Sequence, residues 1–108
     1  MPADPKNKTP AQRALGDFAP KLVGLTDDVL FGDVWQRGEL SPRDRSLITV
    51  TALVAGGSTE QLPSHLTLGK QNGLTEAELI EAITHLAFYA GWPKAMSAMN
   101  VAKKAFAN

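Results

Sequence analysis

His65 and His85 are the only two histidines in the chain. An imidazole gives or takes a proton near neutral pH, so acid–base chemistry is the first possibility these residues raise. His65 sits in Pro63-Ser64-His65-Leu66, within a segment that reads as a helix, and a packed or solvated histidine is the plain alternative. His85 projects from an apolar stripe of Ile83, Leu86 and Ala90 toward Glu78 and Glu81, which favours a solvated or interface residue. Arg43 and Arg45 flank Asp44. A guanidinium there can grip a substrate carboxylate with two parallel hydrogen bonds. For Arg45 that reading and a surface ion pair both stand; for Arg43 an ion pair with Asp44 or a neighbouring aspartate is expected. Trp35, Phe88, Tyr89 and Trp92 can wall a pocket or simply fill a core. Tyr89 is the one whose hydroxyl most needs a polar neighbour.

Other chemistries are narrowed by what the sequence lacks. There is no cysteine, which removes disulfides, thiolate metal sites and cysteine nucleophiles. Gly56-Gly57 has neither spacing of the phosphate-cradling glycine loops. Two histidines twenty residues apart without a clustered carboxylate make a poor metal site, so no metal is expected. Eleven basic residues balance eleven acidic ones, so neither nucleic acid nor a membrane surface is expected as a partner. No apolar run is long enough to span a bilayer, and Met1 to Lys6 lacks the apolar core of a secretory signal. A cytoplasmic location is the expectation.

The elements that must position these residues read as helices. Residues 1–8 are polar and proline-containing and read as a loose tail, ahead of a single domain over residues 9–108. Thr9-Pro10 is a cap followed by a first-turn proline, opening a short helix interrupted by Gly16 and Pro20. A second helix is expected from Thr26 to Gly38. Ser41-Pro42-Arg43-Asp44 opens a third, whose run from Leu47 to Ala55 is so apolar that burial on most sides is expected. Residues 58–72 read as a fourth helix capped by Ser58 or Thr59. Thr75-Glu76-Ala77-Glu78 is a capping box opening a fifth, closed by Gly91, and Pro93 begins a sixth. The fold class is therefore all-α, with five to six helices.

Several stretches together resemble the carboxymuconolactone decarboxylase family: Leu30 to Arg37, Arg43 to Val50, Thr59 to Leu62 with His65-Leu66, Asn72 to Thr75, and Leu86 to Pro93. The resemblance spans roughly Phe18 to Phe106. It implies an AhpD-like helical bundle that assembles as a homo-trimer or hexamer, with substrate pockets near subunit contacts. The family's alkylhydroperoxidase branch carries a Cys-x-x-Cys pair, a histidine four residues on, and a glutamate directly after the arginine of the preceding helix. Laid on this chain, the cysteines fall at Ser58 and Gln61, the histidine at His65 and the glutamate at Ser46. Three of those four groups are absent, so peroxidase chemistry is disfavoured. The decarboxylase branch has Arg-Ser-Leu, as in Arg45-Ser46-Leu47, and keeps the histidine.

What that branch implies is loss of CO2 from 4-carboxymuconolactone, or a related lactone or carboxylic acid, in the β-ketoadipate pathway of aromatic catabolism. The electrons left behind spread onto the conjugated lactone carbonyl, so no cofactor is expected. The resemblance makes His65 the proton donor and gives Glu60 the task of orienting or charging it, unless Glu60 merely complements a helix dipole. Arg45 would hold a carboxylate arm, and Trp35 and Tyr89 would wall the pocket. The competing expectation is a non-enzymatic helical oligomer that binds a small molecule.

Overall fold

The computed structural model describes residues 7–107. Its elements are six α-helices with two irregular helical turns, and among the described residues there is no strand. No helix among them is long and apolar enough to cross a membrane. The expected tail falls mostly outside the described residues. The chain divides into two compact units, one ending at Glu39 and one beginning at Leu40.

The N-terminal unit holds α1 (Pro10–Leu15) and α2 (Pro20–Gly24), followed by a π-helical turn over Leu25–Phe31 and a 3-10 turn over Val34–Gln36. Thr9 caps α1 in a reciprocal box with Gln12, and its hydroxyl also donates to Asp27 Oδ2 at 2.8 Å. The helix expected from Thr26 to Gly38 is not formed as such. The Thr26 hydroxyl donates back to the Leu22 carbonyl at 2.8 Å, so it lies inside a helical stretch that Pro20 begins. A threonine can bond forward as a cap or backward as an interior residue, and here it does the second.

The second unit comprises α3 (Pro42–Gly56), α4 (Leu62–Gln71), α5 (Glu76–Ala90) and α6 (Trp92–Phe106). Ser41 caps α3 by accepting from the Asp44 N–H, and Thr75 caps α5 in the expected box with Glu78. α4 starts later than residue 58. The Ser58 N–H is still bonded to the Leu53 carbonyl at 2.8 Å as the chain leaves α3, and α4 begins only at Leu62, so Gln61 and not Ser58 or Thr59 stands at its N-cap position. Gly91 joins α5 to α6 at φ +104°, a backbone state open to glycine at little cost.

Val50 and Val54 of α3, Leu62 and Leu66 of α4, Leu79 and Ile83 of α5, and Ala95, Ala98 and Ala102 of α6 form the core. Each fully buried leucine or isoleucine there contributes about 1.5–3 kcal/mol. The buried residues that α6 gives to this core are alanines, with Met99, Val101 and Phe106 packed against its edge. α3 packs against α4, α5 and α6. Its burial is nonetheless one-sided: Ser46, Val50 and Val54 are buried, while Ile48 is 56% exposed. The run is apolar around its whole circumference, but its three neighbours cover only one arc of it.

Candidate functional site

α3 carries two arginines and packs against both histidine-bearing helices, α4 and α5. Leu47 and Thr51 lie on one flank, one turn apart. With Arg43 they line a cavity of about 530 Å³ completed by Leu74 and by Glu78, Glu81, His85, Leu86 and Tyr89, the last five all on α5. Arg45 and Thr49 lie outside that lining, and both are half-buried.

The α3–α5 cavity is a paired, solvated place. Glu78 is used twice. Its Oε1 accepts the Thr75 N–H at 3.0 Å, completing the capping box, and its Oε2 accepts from the Arg43 guanidinium. Arg43 also meets Asp44 at 3.6 Å. The Thr75 N–H, and after it the Arg43 charge, hold the Glu78 carboxyl below its ordinary pKa. His85 packs on Tyr89 with ring centroids 4.9 Å apart, and both side chains are exposed, Tyr89 by 78%.

The α3–α4 seam is drier. Asn72, at the end of α4, donates from Nδ2 to the Ser46 Oγ of α3 at 3.0 Å. His65 precedes Asn72 by two turns on the same side of α4, so its side of the helix is the one turned to α3. Ser46 is wholly buried and directly follows Arg45. Arg45 and His65 are each partly buried, and Arg45 Nε and His65 Nδ1 are both out of reach of solvent. Burial holds the His65 imidazole below its ordinary value of 6.5, favouring the neutral ring at pH 7. A half-buried guanidinium can bind an anionic group, and a desolvated imidazole can exchange a proton with one. Substrate carboxylates brought there would raise the imidazole pKa and load it with a proton.

Arg45 belongs to α3 and His65 to α4, the two helices that pack along this seam, and the other expected residues lie elsewhere. Glu60 is exposed on the turn before α4. Tyr89 lies on the opposite flank of α3, with Arg43 and His85. Trp35 belongs to the N-terminal unit, where its ring stacks on Phe31 at 5.9 Å between centroids. Arg43 makes the ion pair with Asp44 expected of it. The cavity formed by Glu78, Glu81, His85 and Tyr89 was not anticipated, although their spacing along α5 puts them on one broad face. Asn72 was also missed, since nothing in the sequence links it to Ser46. Among the described residues, no three of His, Cys, Asp and Glu gather as metal ligands would.

A profile of the carboxymuconolactone decarboxylase family matches residues 20–104. The chain is 37% identical over 92 residues to a 4-carboxymuconolactone decarboxylase of Acinetobacter baylyi, covering 85% of this chain and 69% of that protein. It is 38% identical over 80 residues to a nitrosuccinic acid decarboxylase of Metarhizium robertsii, covering 74% of this chain and 56% of that one. A match that runs through all four helices of the second unit, from arginine flank to alanine-faced α6, settles the kinship: the chain belongs to the carboxymuconolactone decarboxylase family.

Proposed function

We propose that this protein is a cofactor-independent carboxy-lyase that removes CO2 from 4-carboxymuconolactone or a closely related lactone acid, working at the α3–α4 seam. Two relatives named as decarboxylases support the reaction class. The siting rests on two partly buried groups on helices that pack together, Arg45 of α3 and His65 of α4, each with a nitrogen out of reach of solvent.

The chemistry follows from the substrate's own conjugation. The bond between the ring carbon and its carboxylate breaks, and CO2 leaves. The electron pair passes through the double bond to the lactone carbonyl oxygen as a dienolate. A proton then returns to the carbon beside that carbonyl, and the enol-lactone is released. Arg45 holds a carboxylate that is not lost, the low-polarity seam favours departure of the charged one, and His65 supplies the proton. Glu60 is exposed near the start of α4, where solvent screens its charge, so it has no acting role in this reading.

A homo-trimer or hexamer is part of this proposal. Phe88, Tyr89, Trp92 and Met96 are 74%, 78%, 57% and 56% exposed, and apolar surface of that extent marks a contact site. Tyr89 would then wall a substrate pocket only across a subunit contact.

The test is CO2 release from 4-carboxymuconolactone by the purified protein. Turnover without added cofactor is expected, and none would remove the substrate. Peroxide consumption with a thiol reductant should stay at background; robust turnover there would overturn the reading of Ser58 and Gln61. Light scattering should give the mass of three or six chains, and a monomer would refute the assembly.

A further inference from the structure

Two groups in the second unit are tied together for no reason that helix formation requires. Ser46 is a polar side chain with no exposed surface, in a stretch of α3 that otherwise buries valines. Asn72 reaches it with an amide N–H at 3.0 Å, across 26 residues of sequence. A buried hydroxyl bonded to a neighbouring helix is a directional link, because slipping the helices by even part of a turn breaks it.

The two helices lie close together at this point. A Cβ on Gly69 would lie 3.7 Å from the Ser46 Cβ, ordinary contact distance, and 3.2 Å from Leu74 Cδ1, so α4 lies directly against α3 here and it is Leu74 that closes over the bare glycine. Leu74 is itself buried and turns back to donate its N–H to the Gly69 carbonyl at 2.9 Å, which clamps the end of α4 over Ser46. One residue before Ser46 is Arg45. Two turns before Asn72, on the same side of α4, is His65.

We propose that Ser46 and Asn72 are positioning residues, whose hydrogen bond sets the register of α3 against α4 and thereby the placement of Arg45 relative to His65. This rests on the reading of Arg45 and His65 as the acting pair. Neither residue touches the substrate. Ser46 fills the place where the peroxidase branch has its glutamate, and in this chain that place serves geometry rather than proton relay.

The experiment compares Asn72→Ala, Ser46→Ala and the double variant, each a small deletion of polar atoms. On 4-carboxymuconolactone, each single variant should lose roughly ten- to a hundredfold in kcat/KM, since small misplacements of acting groups cost that much. One bond can be lost only once, so the double variant should be no slower than the worse single. Losses that multiply, or kcat/KM within about twofold of wild type, would overturn the inference.

A second readout needs no turnover. With only two histidines, NMR follows each imidazole in the substrate-free protein. Both single variants should raise the His65 titration toward its ordinary value while His85 stays where it is. A merely structural bond would lower the melting temperature and leave His65 unmoved, and that result would overturn the inference. If the protein turns over nothing but His65 moves, the substrate assignment has failed and the positioning role stands.

Discussion

The two flanks of α3 carry the same residue types in opposite states. On the α5 side, Arg43 is committed to Glu78 and Asp44, and His85 lies open to water against Tyr89. On the α4 side, Arg45 and His65 are half-buried, and burial presses the imidazole toward its neutral form. An exposed ion pair is screened and contributes little beyond about 1 kcal/mol. A charge brought into a drier seam interacts much more strongly with whatever enters it. Residue type alone does not separate the flanks; exposure to solvent does, and the proposed function sets its chemistry on the drier side.

The largest contrast should appear between the two arginines. Arg45→Met is expected to lose about a hundredfold in kcat/KM, chiefly through KM, as a carboxylate clamp disappears. Arg45→Lys should recover only part, because an ammonium cannot reproduce the bidentate fork. Arg43→Met should leave kcat/KM within about twofold and cost at most about 1 kcal/mol of stability. Steady-state kinetics on all three variants checks this, and a larger kinetic loss at Arg43 would move the site to the α5 cavity.

Packing offers the next contrast. Leu66, fully buried beside His65, should cost about 2–5 kcal/mol when changed to Ala, measured by urea denaturation. Ile48→Ala, on the exposed arc of α3, should cost much less in a monomer. A cost of similar size that depends on protein concentration would show that a subunit contact covers Ile48.

The pH dependence sharpens the same comparison. If protonated His65 is the acting acid, kcat/KM falls as pH rises through a value below 6.5, because burial lowers the pKa of the free enzyme. Stability runs the other way. The unfolded chain binds the His65 proton more readily than the native one, so this contribution to stability is full above 6.5 and erodes as pH falls toward the native pKa. His65→Gln should flatten that slope. Glu78 adds a lower window: its stabilisation is present above its ordinary pKa of 4.5 and is lost as pH falls through the depressed native value.

The smallest effect concerns the cap. Thr75→Ala should cost about 1 kcal/mol of stability while leaving turnover per folded molecule unchanged, seen as a lower melting temperature with constant kcat.

Much of the fold was legible because helix starts are local. Ser41 and Thr75 cap the helices they announce, and the chemistry of each cap lies within three residues. The misread starts arose where local chemistry has two outcomes. Thr26 bonds backward instead of forward, and the Ser58 N–H is still tied to the Leu53 carbonyl of the helix it is leaving. Of the site, His65 and Arg45 could be selected by type and by resemblance to the family. The side of α3 that each arginine serves could not, because it depends on which helices pack on which arc. The placement of Tyr89 apart from His65, and the pairing of Ser46 with Asn72, are likewise consequences of packing that leave no spacing in the sequence.

The most direct measurement assays CO2 release from 4-carboxymuconolactone by wild type, His65→Ala and His85→Ala. The account predicts that His65→Ala loses about a hundredfold or more in kcat, as befits a proton donor, and that His85→Ala stays within about threefold of wild type. Full activity in His65→Ala with loss in His85→Ala would contradict it and place the chemistry on the other flank of α3.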